Sequence, residues 1–240
     1  MPNRRACDLT ATERAEIIRH SEIGAGLDDA LVERLAAAST ALDFRRRRFV
    51  YRAGEPSNAV FIVARGRIKL CCIETASNRE AVIDILPTGS LFGEYALYAA
   101  TGEHQMSAAA FEQACVLRIP AGEFKWAMGE SRELNNHTLR VLGQRLSRSE
   151  RRVADFALDA IPARLEKLLA DLSLRYGREE PEGVLIDIAI PHREIASIVG
   201  STRESVTVRL NDLRRAGVID FVDRKILLKH QPVEATVATV

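Results

Sequence analysis

The chain has 240 residues, 47% of them apolar, and a formal net charge of +1. That is enough apolar material for one large or two modest packed domains, and it excludes a disordered chain. So small a net charge excludes a globally basic nucleic-acid binder, although a local basic patch would still suffice. No run approaches the roughly 20 apolar residues of a membrane span and no charged-then-apolar leader is visible, so a cytoplasmic protein with no membrane partner is expected.

Residues 1–40 read as a helical packing arm, with Leu27, Leu31 and Leu35 at helical spacing. From Phe44 to Ile119 the texture changes to short alternating runs punctuated by glycine, such as AVFIVARGRIKLCCI and REAVIDILPTG. This is the pattern of a small antiparallel β-roll, assigned to residues 41–125. Arg45 to Arg48 are expected to form a solvated face rather than a nucleic-acid patch. The four cysteines Cys7, Cys71, Cys72 and Cys115 are scattered apart from one adjacent pair, whose members would point to opposite faces of a strand. No disulfide framework is expected from them.

Residues 126–159 read as one long helix. Leu139, Leu142, Leu146, Ser149, Val153 and Phe156 follow a 3, 4, 3, 4, 3 spacing, a coiled-coil seam able to pair two chains as a homodimer. In residues 162–176, Leu165, Leu168, Leu169 and Leu172 form the apolar stripe of another helix. Asp159 is its expected N-cap, and residues 157–162 are the expected hinge.

The segment 190–216 reads as two short helices joined by a tight turn. Ile195, Ile198 and Val199 recur at helical spacing, Gly200 ends the first helix, and Ser201 or Thr202 can cap the second. Val206, Leu210 and Leu213 mark its buried stripe, leaving Glu204, Thr207, Val208 and Asn211 on the opposite face with Arg203 beside them. A polar helix face presented in this way suits a DNA major groove, so Ser201, Thr202, Arg203, Glu204, Thr207, Val208 and Asn211 are the candidate DNA-binding residues. After Gly217, two alternating runs flank Asp223 and Arg224 as the hairpin of a winged helix. The winged helix-turn-helix domain is assigned to 160–232, and 233–240 is expected to be a flexible tail. The fold class is therefore α+β: an N-terminal antiparallel roll, a long dimerisation helix and a C-terminal winged helix-turn-helix.

Three stretches in this order resemble the Crp/Fnr family of bacterial transcription regulators: YRAGEPSNAVFIVARGRIKL at 51–70, ILPTGSLFGEYAL at 85–97, and the helix-turn-helix at 192–216 with its S-T-R-E run. The resemblance implies a roll like a cyclic-nucleotide-binding domain. It also implies a homodimer on pseudo-palindromic double-stranded DNA, with RNA polymerase as a further partner. It places the effector pocket at Gly93, Glu94, Gln105, Met106 and Ser107, with Ser149 in the seam either touching the effector or setting register. Where cyclic-AMP-binding members carry an arginine for the cyclic phosphate, this chain has Gln105 and Met106. The expected effector is therefore not cyclic AMP. At the DNA face Glu204 can accept from a cytosine amino group and Arg203 can donate to guanine or phosphate. Val208 cannot donate, and it favours a thymine methyl.

Cofactors are left unassigned. Only Cys7 lies near the N-terminus, which does not suit an iron–sulfur cluster, whereas haem stays open with His104, Met106, Cys71, Cys72 and Cys115 in the roll. A metal-dependent roll enzyme would need converging histidines, and of His20, His104, His137, His192 and His230 only His104 lies there. No catalytic or metal site is therefore expected. The alternative functions are a cyclic-nucleotide-binding regulatory subunit, or a small-molecule-binding roll without a DNA role. The regulatory-subunit reading does not explain residues 162–230.

Overall fold

The computed structural model describes residues 5–74, 79–98 and 101–230; the tail expected at 233–240 lies outside them. Its contacts divide the chain into two units, Met1–Glu150 and Arg151–Val240. Among the described residues no helix is long and apolar enough to cross a membrane.

The first unit begins with β1 (Arg5–Ala6), α1 (Ala11–Arg19) and α2 (Asp29–Ala38). The arm is thus not wholly helical: β1 pairs antiparallel with β2 (Thr40–Phe44), and Leu27 precedes α2 rather than lying on it. A capping box starts α1, where Thr10 Oγ1 accepts the Glu13 amide at 3.2 Å and Glu13 Oε2 accepts the Thr10 amide at 2.7 Å. The roll continues with β3 (Phe49–Tyr51), β4 (Ala59–Arg65), β5 (Ile68–Glu74), β6 (Arg79–Leu86), β7 (Leu91–Phe92), the short α3 (Tyr95–Tyr98), β8 (Ser107–Ala110) and β9 (Ala114–Pro120). One sheet runs β1-β2-β9-β4-β7 and the other β3-β8-β5-β6.

The continuous apolar run of β4 follows from burial on both faces. Val60 and Ile62 enter a core shared with α1 and α2, while Phe61 and Val63 enter the core between the sheets. In β9, Cys115, Leu117 and Ile119 likewise face the helices, and Ala114 and Val116 face the other sheet.

The single helix expected over 126–159 is two, α4 (Ala121–Glu130) and α5 (Arg132–Leu158). Ser131 adopts an extended conformation that ends α4, and its hydroxyl accepts the Leu134 amide at 3.1 Å, which starts α5. Leu134, Thr138 and Val141 of α5 are buried, whereas Leu139, Leu146 and Val153 on another face are 57%, 60% and 69% exposed.

The second unit holds α6 (Ile161–Tyr176), β10 (Gly177–Glu180), β11 (Gly183–Ile186), α7 (His192–Val199), α8 (Arg203–Arg215), β12 (Ile219–Val222) and β13 (Lys225–Lys229). Asp159 is not the cap of α6. Ala160 occupies that position without a side-chain bond, because the Asp159 carboxylate is drawn to Lys167 Nζ at 2.6 Å. The four-stranded sheet β10-β11-β13-β12 contains the wing together with a preceding hairpin, β10–β11, whose charged first strand gave no apolar alternation. At the wing tip Val222 pairs with Lys225, and Asp223 and Arg224 both take positive φ, at 48° and 66°. Two such residues make the mirror-image turn that suits strand twist.

Candidate nucleic-acid interface and roll site

The presentation of α8 starts at Gly200. Its φ of 65° and ψ of 49° end α7 in the left-handed region. A Cβ there would lie 2.5 Å from the Phe156 ring, so glycine is required twice over. Thr202 then caps α8, its hydroxyl accepting the Ser205 amide at 3.2 Å. Val206, Leu210 and Leu213 bury the inner face, and Arg209 ties α8 to α6 through Glu166 at 2.7 Å.

The outer face carries Thr202, Arg203, Glu204, Val208 and Asn211, all exposed. Arg203 forms no ion pair among the described residues, and Val208 is 58% exposed. Thr207 and Ser201 differ from these: both are half-buried. The Thr207 hydroxyl donates to the Arg203 carbonyl at 2.8 Å and lies 2.9 Å from His192 Nδ1. With the hydroxyl proton on the Arg203 carbonyl, the Nδ1 tautomer of His192 donates to Thr207 Oγ1; the other tautomer accepts from it. Burial, then the Arg203 charge, lowers the His192 pKa, so the ring is neutral and works as a spacer between α7 and α8. Most other cations of this unit have carboxylate partners: Arg214 with Asp220, Arg215 with Asp212, Lys225 with Asp187. Free positive charge on this surface is therefore concentrated at few positions, Arg203 among them.

In the roll, Gly93 has φ of 76° and a built Cβ would lie 2.7 Å from Phe61, so the chain enters Glu94 tightly against the aromatic core. That core brings together Tyr51, Phe61 and Phe92, and His104 stacks on Tyr51 at 3.5 Å. Burial lowers the His104 pKa and keeps the imidazole neutral.

Glu94 is buried, and its carboxylate lies 3.0 Å from Nη1 of Arg145, a residue of α5. Arg145 also faces Glu22 at 4.0 Å and donates to the Leu91 carbonyl. Burial works against its charge, but Glu94 and then Glu22 outweigh that and raise its pKa. Nε and Nη1 of Arg145 nevertheless find no well-aligned acceptor, so the contact with Glu94 is ionic rather than a bidentate fork. One turn further along α5, Arg148 reaches Asp84 of β6 at 3.4 Å. Two arginines of α5 are thus held by roll carboxylates, a constellation that had no signal in the sequence because its members lie far apart along the chain.

The other expected pocket residues are dispersed. Ser107 is buried and accepts the Ala53 amide at 3.0 Å, Met106 packs against the inter-sheet core, Gln105 is exposed with its amide on Thr101, and Ser149 is exposed on α5. Neither Gln105 nor Met106 carries charge, and the Arg145 guanidinium faces Glu94 and Glu22. Of the candidate haem ligands, Cys115 faces the helix-side core, Met106 the inter-sheet core and Cys72 solvent.

Residues 41–131 match the cyclic nucleotide-binding domain family, and residues 163–232 match the Crp-like helix-turn-helix domain. The chain is 26% identical over 213 residues to a CRP-like cAMP-activated global transcriptional regulator of Mycobacterium tuberculosis, covering 89% of this chain and 94% of that one. To a global nitrogen regulator of Synechocystis sp. it is 30% identical over 193 residues, covering 79% and 84%. The solved structure of the c-di-GMP responsive global regulator CLP of Xanthomonas campestris superposes with a TM-score of 0.73 at 21% identity, covering 85% of this chain and all of that one.

Proposed function

Because the chain belongs to the Crp/Fnr family of transcription regulators, we propose that it works as a homodimer whose two α8 helices read the half-sites of a pseudo-palindromic DNA sequence. The observation that carries this reading is the outer face of α8: Arg203, Glu204, Val208 and Asn211 stand exposed on a helix whose other face is locked by Val206, Leu210 and Leu213. Two-fold protein symmetry then matches two half-sites about one helical turn apart. The exposed Leu139, Leu146 and Val153 supply the pairing seam. Phe156, at the end of that seam, lies against Gly200 and under the Arg164 guanidinium, so one side chain serves both the seam and the helix-turn-helix.

Within this reading Glu204 accepts from a cytosine amino group, Arg203 contacts guanine or phosphate, and Val208 meets a thymine methyl. The signal enters through the roll. Glu94, Glu22 and Asp84 hold α5 by Arg145 and Arg148, so an effector that competes for Glu94 frees the helix carrying the seam. Cyclic AMP does not suit that site, RNA polymerase is the downstream partner, and the protein acts in the cytoplasm.

Replacing Glu204 by Ala tests the interface. Binding to a panel of single-base operator variants should show discrimination relaxed at one base pair per half-site, by about 1 to 3 kcal/mol, with the other positions unaltered. A uniform loss across all sequences would remove Glu204 from base readout.

A further inference from the structure

The sheet that carries β9 assembles a second chemical cluster, away from Glu94. Asp43 of β2 and Arg65 of β4 are the direct cross-strand partners of Cys115 on either side. Cys7 follows β1 and hydrogen-bonds the Ala41 carbonyl through its amide at 3.2 Å, which brings it over the same row. The Cys7 and Cys115 sulfurs and an Asp43 oxygen all lie within 4.8 Å of one another. Arg65 Nη2 reaches Asp43 at 3.3 Å and the Cys7 sulfur at 4.0 Å. Cys115 is buried, Cys7 is half-buried, and both are free thiols.

Two chemistries could use this cluster. A divalent cation would have three protein ligands, but Arg65 already places a fixed positive charge on two of them. Burial, then the hydrogen bond to Cys7, also raises the Cys115 pKa and keeps its proton on, whereas a metal requires the thiolate. A thiol pair puts no second positive charge beside Arg65, and its Cys115 thiol has only to give up its proton during the attack rather than stand as a permanent thiolate. We infer that Cys7 and Cys115 are a hydroperoxide-oxidisable dithiol that closes into an intramolecular disulfide, fastening the N-terminal edge strand to the roll. From 4.8 Å at most, the sulfurs need to approach by no more than about 2.8 Å to reach disulfide length. Cys7 directly follows an edge strand of only two residues, which can supply that movement.

The order of events follows from exposure. The Cys7 sulfur attacks the peroxide O–O bond, taking one oxygen to become a sulfenic acid and releasing the other as an alcohol, or as water from hydrogen peroxide. The Cys115 sulfur then attacks the Cys7 sulfur, forming the S–S bond. The sulfenic hydroxyl leaves with the Cys115 proton as a second molecule, water. Two thiols lose two electrons and two protons, and the peroxide accepts them. A thiol reductant reverses the change by exchange.

The test uses the full-length protein, reduced, treated with a chelator and exposed to hydrogen peroxide. Intact mass should fall by about 2 Da, non-reducing peptide mapping should link Cys7 to Cys115, and Cys71 and Cys72 should remain open to alkylation. Dithiothreitol should restore the mass. Cys7→Ser, at a half-buried position, should fold and abolish the 2 Da loss, so the result does not depend on a variant at buried Cys115. Overoxidation of Cys7 with Cys115 still alkylatable, a link through Cys72, or a stoichiometric zinc ion that copurifies and shields both thiols would each overturn the inference.

Discussion

Replacing Arg145 by Met is expected to destabilise the roll by about 3 to 5 kcal/mol, the cost of leaving a buried charge without its partner. For a unit of this size that lowers the thermal midpoint by on the order of 10 °C. The stranded group is Glu94, whose side chain is 8% exposed. Glu22 is less affected, because its carboxylate also accepts the Leu91 amide at 3.1 Å and the Ser90 hydroxyl at 3.2 Å. Adding Glu94→Gln to the Met variant should recover most of the loss, since a neutral amide needs no counter-charge, and the double-mutant cycle gives the coupling directly. A loss under about 1 kcal/mol for the single variant would match an exposed ion pair and contradict the role given to Arg145. The same variant should also weaken the response of DNA binding to the natural signal, because the link between Glu94 and α5 is gone.

A second large effect is expected at the seam. Leu146→Glu combined with Val153→Glu places two carboxylates where the structure leaves two apolar side chains exposed at 60% and 69%. Neither residue is part of a packed core, so helix content and the melting of each unit should be unaltered. Native mass should fall from dimer to monomer. Affinity for a full operator should drop by roughly 10² to 10⁴-fold, because the second half-site no longer adds to the first. A variant that stays dimeric would place the interface elsewhere.

The recognition helix is legible in the sequence because its determinants are local: a left-handed glycine, a capping threonine and an apolar stripe at helical spacing all lie within fourteen residues. The alternating runs of the roll are legible for the same reason. What escapes is whatever depends on distant chain segments meeting. Thr207 reads as an outward residue by helical angle, yet the ring of His192 from the preceding helix claims its hydroxyl. Arg145 gives no sign of its partners until the stretch from β7 to α3 brings Leu91 and Glu94 to it. Cys7 and Cys115 look unrelated until β1, β2 and β9 lie side by side. The break at Ser131 is hidden because helical spacing continues on both sides of it, and the hairpin β10–β11 is hidden by the charged residues of its first strand.

The most direct measurement is selection of bound sequences from a random duplex library by the full-length protein at fixed salt. Two inverted half-sites centred about 10 base pairs apart are expected, with an A·T pair where Val208 meets the groove. Enrichment of a single asymmetric site, or a strict guanine requirement at the Val208 position, would contradict a two-fold symmetric reader built on this face of α8.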